Sequence, residues 1–304
     1  GINRAFIANI GLPPNEAPTG DVKIFSDEWW DIMHAALKKA TELNIEIGIF
    51  NSPGWSQAGG PWVKPSQAMR HISSVGATVH GGGSVTATLK APSADFQDVR
   101  VLAFPAHDGA DMRLSNANCK ITSTAYASGV KNLFDGDEAT ACTFDKGGSV
   151  EICFEPSSAF TLRALRLELA DHTMSAKASV SVKENGAWRE LKSFTVNRIN
   201  AALNTGFVPY APVVESVEAT TGKEFKLVLT DISAGAALKE VVMSAAPMVE
   251  SYADKTLAKM YHSPLPYWKE YQWPVQPAVD DTSLVVAQNQ VRDITSCLKG
   301  DVVT

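Results

Sequence analysis

Residues 45–69 read IEIGIFNSPGWSQAGGPWVKPSQAM, a short apolar run that breaks into a loop rich in glycine, proline and tryptophan. Ile45, Ile47 and Ile49 sit among β-favouring residues, so Ile45–Phe50 is predicted to be a short buried strand. Asn51, Ser52, Pro53 and Gly54 cannot continue it, and Gly59, Gly60 and Pro61 keep the backbone irregular. Pro65 then suits the first turn of a helix. Trp55 and Trp62 stand in this loop beside Asn51, Ser52, Ser56 and Gln57. Indoles stack on the C–H faces of sugar rings, while amides and hydroxyls pair with sugar hydroxyls, which gives the few convergent polar groups of a small-molecule site. The competing reading is that the indoles plug the end of a barrel, because buried tryptophan usually keeps a polar neighbour anyway.

Upstream, Arg4–Ile10 (RAFIANI) is a predicted strand, followed by the proline-rich loop Gly11–Asp21. Ser26 reads as a helix cap, with Asp27 and Glu28 in the first turn, where the helix dipole favours negative charge. Trp29, Ile32, Met33, Ala36, Leu37 and Ala40 recur at helical spacing, and Asn44 closes the helix. Strand, helix, strand is a parallel βαβ unit with a right-handed crossover. Its loops Gly11–Asp21 and Asn51–Pro61 should then lie side by side on the face where such folds build their sites. Glu16 and Asp21, in the first loop, are read as solvated carboxylates rather than as acid, base or cation ligand.

The 304 residues suggest about two domains with sizeable cores. A formal charge of −6 with no basic run argues against nucleic acid and anionic membranes as partners. No apolar run approaches the roughly 20 residues of a membrane helix. No charged-then-apolar leader is read at the amino end, which opens Gly1-Ile2-Asn3 and leaves room for a processed precursor. Cys119, Cys142, Cys153 and Cys297 lack the close pairing of a zinc site. Thr140–Phe144 and Ser149–Phe154 read as two strands about Asp145-Lys146-Gly147-Gly148, so Cys142 and Cys153 could face each other across a hairpin, either as a disulfide or as two free apolar thiols.

After Ser73 the texture changes. From Ser84 to about Ala245 short alternating runs, VTATLKA, DVRVLAF, SVEICF, LRALRLEL, ASVSVKE and EFKLVLTDI, are separated by turn residues, which describes an antiparallel sandwich. Trp188, in ENGAWREL, is expected beside a hairpin turn, and Tyr126, Phe160, His172, Phe207 and Tyr210 form no recognisable sugar-binding pair. From Met248 the pattern turns helical through Val249, Tyr252, Ala253, Thr256, Leu257 and Met260. Pro264, Pro266, Pro274 and Pro277 then enforce extended chain carrying Tyr267, Trp268, Tyr271 and Trp273, which is expected to wrap a neighbouring surface. The second half of SLVVAQNQVRDITSCL reads as a short helix, and Gly300–Thr304 as the start of a strand.

The loop NSPGWSQAGGPWVKPSQAM resembles the corresponding loop of the α-L-rhamnosidases of glycoside hydrolase family 106, whose catalytic domain is an (α/β)8 barrel. FSDEWWDIMHAALKKATELNIEIGI and VESYADKTLAKMYHSPLPYWKEYQWPVQP resemble that family's neighbouring segments. The resemblance implies an α+β multidomain chain, with a partial parallel (β/α) barrel segment over residues 1–75 and a β-sandwich over 76–247. Residues 248–304 would be a helix and a proline- and aromatic-rich segment returning to the barrel. It implies cleavage of terminal α-L-rhamnosyl residues from plant or pectic glycans and a periplasmic or secreted protein. It also implies a substrate-binding role for Asn51, Trp55, Ser56 and Trp62. Such chemistry needs two carboxyl groups, about 6.5–9.5 Å apart in inverting enzymes. No convincing pair is found, and the family resemblance implies that the catalytic carboxylates lie outside these residues.

AYASGVKNLFDGDEATACTF resembles the early segment of galactose-binding-like, discoidin-type jelly rolls, where this turn and a late glutamate hold structural Ca2+. The matching positions are Asp135, Asp137, Thr140 and Glu240, oxygen donors of the kind calcium takes. The tryptophan usual soon after the threonine is absent, with Cys142 near its place. Three functions are therefore carried forward: part of a rhamnosidase, a carbohydrate-binding module, or a structural insertion beside a βαβ unit. The last leaves that unit's apolar face bare and prone to self-association.

Overall fold

The structure, a computed structural model, describes residues 1–8, 20–49, 64–67, 70, 72–107, 109–199, 210–255, 274–279 and 281–304. The chain divides into two units, Gly1–Arg70 and His71–Thr304, and each is taken by itself.

In the first unit β1 (Arg4–Ile7) and β2 (Glu46–Ile49) pair in parallel, Arg4 with Glu46 through Ile7 with Ile49, and α1 (Asp27–Glu42) connects them. The Ser26 hydroxyl accepts from the Trp29 amide at 3.2 Å, as a helix cap should. At the other end Asn44 is left-handed (φ 52°), and Ile45 N donates back to Ala40 O at 2.9 Å. Met33 and Ala40 are the buried residues of α1. Phe6 and Ile49 are half exposed or more, so the unit shows apolar side chains on the sheet as well as on the helix, where Ile32 is exposed. The helix expected at Pro65 is a 3-10 turn over Pro65–Gln67.

The second unit opens with β3 (Ala87–Thr88) and β4 (Leu102–Ala103). The sandwich follows as β5 (Cys119–Ser123), β6 (Cys142–Phe144), β7 (Gly148–Pro156), β8 (Phe160–Leu169), β9 (Met174–Glu184), β10 (Ala187–Arg198), β11 (Val213–Gly222), β12 (Phe225–Ile232) and β13 (Ala236–Ser244). The unit ends with β14 (Arg292–Asp293), β15 (Leu298–Lys299) and β16 (Val302–Val303), outside the sandwich sheets. One sheet runs β10-β9-β12-β7-β5 and the other β11-β8-β13-β6, with antiparallel pairing throughout both. Alternation puts Val150, Ile152 and Phe154 of β7, Phe225, Leu227 and Leu229 of β12, and Leu165, Leu167 and Leu169 of β8 into one core. Phe134 meets Phe154 edge-on at 5.1 Å, and Phe160 meets Phe225 at 6.2 Å.

Two of the six alternating runs read into the sandwich belong elsewhere. β3, from VTATLKA, pairs with β16, and β4, from DVRVLAF, pairs with β14, so these small sheets join sequence from either side of the sandwich. Arg292 and Asp293 therefore lie in a strand where a helix was expected, and Thr295–Cys297 is a 3-10 turn. The Asp293 carboxylate accepts from both the amide and the hydroxyl of Thr295, at 3.0 and 2.6 Å, which favours the turn over an α-helix. The sandwich's entering and leaving chains are themselves paired: Leu114 N donates to Met243 O (3.0 Å), and Ala245 N to Met112 O (2.9 Å). Trp188 does flank a hairpin turn, at Asn185-Gly186, where both φ values are positive (51° and 82°). Among the described residues no helix is long and apolar enough to cross a membrane.

Cys142 and Cys153 do not face each other across a hairpin. The chain switches sheets at Gly147-Gly148, sending β6 to β13 and β7 to β5 and β12, and all four cysteines are free. Burial pushes the Cys119 and Cys142 thiols up to about 11 and also raises Cys153, whereas Cys297 is exposed. The thiolate is the reactive form. A thiol reagent at neutral pH is thus expected to titrate one cysteine quickly and the other three only on unfolding, with Cys297→Ser removing the fast phase.

Candidate functional site

Asn51, Trp55, Ser56 and Trp62, together with the proline- and aromatic-rich segment 256–273, lie outside the described residues. What is described is their approach. β1 and β2 pair in parallel as far as Ile7 and Ile49; the loops Gly11–Asp21 and Asn51–Pro61, expected side by side, lie outside the described residues but for Gly20 and Asp21. Arg4 and Glu46 form an exposed ion pair across the two strands at 2.5 Å.

The Asp-Gly-Asp turn is described in full. A 3-10 turn over Lys131–Phe134 delivers the chain to Asp135, and Gly136 takes a positive φ of 82°. Asp135 Oδ1 accepts from Asp137 N, and Asp137 Oδ1 from Ala139 N, both at 2.9 Å, so two successive side-chain turns fold the loop on itself. This brings the Thr140 hydroxyl to 3.0 Å from Asp135 Oδ2, 3.1 Å from Asp137 O and 3.4 Å from Asn132 O. From β13, across the sheet, Glu240 reaches the same place and accepts from Gly136 N at 2.6 Å.

Asp135, Asp137 and Thr140, neighbours in sequence, and the distant Glu240 thus converge on one turn. Asp137 takes part through its carbonyl, its carboxylate being turned to Ala139. The residues that sequence reading missed are Asn132, which contributes only a backbone oxygen, and Arg113. An added Cβ on Gly136 would lie 2.7 Å from Arg113 Nη2, so the guanidinium lies against the turn, and the positive φ of 82° is what favours glycine there. Glu240 is 3% exposed, and burial raises its pKa. The Gly136 amide and the Arg113 charge work against that rise, and the Asp135 carboxylate adds to it.

Asp137 O also accepts from Thr140 N at 3.0 Å, which leaves one hydroxyl proton between Asp135 Oδ2 and Asn132 O. Two carboxylates with carbonyls and a hydroxyl are hard oxygen donors, and the set fits a calcium ion. Among the described residues no group of three acidic, histidine or cysteine side chains offers a metal site, so any cation here would depend on the backbone oxygens.

The sandwich's aromatic residues are otherwise occupied. Tyr126 packs edge-on to Phe144 and donates to Gly147 O at 2.8 Å, and Phe160 is buried. Lys183 and Lys226 lie over the Trp188 ring at 5.7 and 4.7 Å, each also paired with a glutamate, so the indole covers lysine stems. Phe207 lies outside the described residues.

Comparison with known proteins adds the following. The sequence model of a family described as alpha-L-rhamnosidase matches residues 1–303. A solved rhamnosidase from Novosphingobium sp. PP1Y is similar in fold over 98% of the chain and 27% of its own, with 20% identity and a TM-score of 0.57. A curated relative, a putative beta-glucuronidase of Formosa agariphila, is 33% identical over 108 residues, 34% of this chain and 9% of the relative. A CBM32 domain from Clostridium perfringens, in complex with GalNAc-beta-1,3-galactose, matches 44% of the chain and 100% of its own at 17% identity, with a TM-score of 0.36. The chain therefore spans only 27% and 9% of the two longer proteins.

Proposed function

The chain belongs to the alpha-L-rhamnosidase family, glycoside hydrolase family 106, and from that membership we propose that it is part of a glycosidase removing terminal α-L-rhamnosyl residues from plant or pectic glycans. The observation that carries this is the extent of the family match, which takes in the βαβ unit, the sandwich and the segment after it. In this reading β1, α1 and β2 are a segment of a (β/α) barrel, and Asn51, Trp55, Ser56 and Trp62 hold substrate on the loop after β2. The carboxyl pair for hydrolysis with inversion is supplied outside these residues. The bare apolar side chains of the βαβ unit belong against further barrel elements and, without them, against a second copy. The family's substrates suit a periplasmic or secreted protein.

The deciding experiment is hydrolysis of an aryl α-L-rhamnoside by this chain and by the longer protein containing it, side by side with calcium present. Turnover by the longer protein alone is expected. Trp55→Ala or Trp62→Ala there should lower kcat/KM about tenfold or more, the scale of one lost buried aromatic contact. Absence of turnover in both would sink the reading. The second reading, a non-catalytic sugar-binding or structural sandwich, would then be favoured; the engaged aromatics of the sandwich favour its structural form.

Calcium belongs to the same proposal: Asp135, Thr140 and Glu240, with the carbonyls of Asn132 and Asp137, would hold it. It would supply positive charge to oxygens that share too few protons. Because burial raises the pKa of Glu240, its unliganded contribution to stability is complete below its ordinary 4.5 and is lost as pH rises through the folded value. Calcium should therefore raise Tm more at pH 7 than at pH 5, by about 3 °C or more at the higher pH. Glu240→Gln should abolish the difference. A melting curve indifferent to calcium at both pH values would end the proposal.

A further inference from the structure

Away from the Asp-Gly-Asp turn, the second unit holds a cavity of about 310 Å3, just within the range of small-ligand sites, about 300–1,000 Å3. It exists because β11 carries a bulge. Ser216 pairs with Ala164 and Thr220 with Leu162, so Val217, Glu218 and Ala219 all stand opposite Arg163. The facing wall is the extended strap Gln276–Val279 with Asp281 and Leu284. The strap is anchored at Gln276. Gln276 donates to Met248 O at 3.3 Å and accepts from Glu250 N at 3.1 Å, and Glu250 is held in turn by Lys192.

The charged groups of the lining are one guanidinium and two carboxylates, Arg163, Glu218 and Asp281. Arg163 spends Nη1 on Ala245 O at 3.1 Å, one of the five N–H donors a guanidinium carries. Asp281 uses Oδ1 on the amide and hydroxyl of Ser283, which keeps it ionised. Between these groups lie Val217, Pro247, Pro277 and Leu284. An anionic ligand meets an excess of carboxylate, and a cation meets the guanidinium. A neutral polyol satisfies both, since each hydroxyl donates to a carboxylate while accepting from arginine, and its C–H edges rest on valine and proline.

We propose that this cavity is a second carbohydrate site, taking one neutral monosaccharide unit edge-on. The glycosidase reading contributes only the choice of a glycan among neutral polyols. The site shares no residue with the loop 51–62 or with the Asp-Gly-Asp turn, and no lining side chain among the described residues is aromatic, so recognition is through hydroxyl pairs and not through ring stacking.

The test is a titration of the chain, followed by saturation-transfer NMR, with methyl α-L-rhamnoside, methyl β-D-galactoside and D-galacturonate. At least one neutral glycoside should bind, and D-galacturonate should bind about tenfold or more weakly than the galactoside. Glu218→Gln should weaken the neutral sugar about tenfold. Ala278→Trp, at an exposed strap position, should fill the cavity and remove binding with the melting temperature unchanged. Failure of both neutral glycosides to bind, unchanged binding in Ala278→Trp, or equal affinity for galacturonate would each overturn the proposal. Turnover of a small aryl rhamnoside by the longer protein reads the glycosidase proposal separately, and neither variant should alter it.

Discussion

Lys192→Met is expected to destabilise the second unit by about 3–5 kcal/mol, measured as a fall in the urea midpoint at unchanged m value. Lys192 Nζ lies 2.5 Å from Glu250, 2.9 Å from Glu215 and 3.2 Å from Ser216 O, and Glu250 is 3% exposed. Burial works against the ammonium charge, but the two carboxylate hydrogen bonds outweigh it and raise the lysine's pKa. Glu215 shows the cost from the other side: burial raises its pKa despite the lysine. Removing the cation leaves two carboxylates facing each other with little water, the arrangement in which breaking a buried pair costs most. Glu250 also accepts from Ser216 N at 3.2 Å, beside the β11 bulge, so the loss should spread to the chain leaving the sandwich. Adding Glu215→Gln and Glu250→Gln to Lys192→Met should recover part of the stability. If Lys192→Met costs under about 1 kcal/mol, the cluster behaves as a solvated surface pair instead.

Phe154→Ala should cost a similar amount, about 3–5 kcal/mol, and lower Tm by about 10 °C. Phe154 is fully buried in β7, between Phe225 of β12 and Ile121 of β5, with Phe134 edge-on at 5.1 Å. Its neighbours stand on strands held by two ladders, so the vacated space cannot close. Glu155→Ala, on the next residue and facing out in an exposed pair with Lys120 at 2.9 Å, is the control and should shift stability by no more than about 0.5 kcal/mol. Comparable losses at both positions would mean that the substitution acts through the strand and not through the core.

What the sequence made legible was local chemistry. Ser26, the first-turn acids and Asn44 mark both ends of α1 because caps act within one turn. The Asp135–Thr140 loop was readable because its side chains bond their own backbone. Partners were harder. Alternation in VTATLKA identifies a strand but is the same whether its ladder lies in the sandwich or with Val302–Val303. Asp145–Gly148 looks like a hairpin turn, yet Gly147 takes φ 62° with Ile232 O 2.3 Å from where a Cβ would stand, and the chain turns a corner between sheets there. The Arg163 cavity had no sequence signal, since a bulge and a strap meet there only after folding. Arg113 was missed for the same reason.

The paired backbone at Met112–Leu114 and Met243–Ala245 has a consequence for how such a chain can change over time. A module whose two ends meet at one bridge leaves a gap in its host no wider than that bridge. It can be gained, lost or exchanged in a single recombination event without altering the register of the strands on either side. Substituting another small sandwich between these two points, or a short turn, is then a matter of splicing rather than redesign.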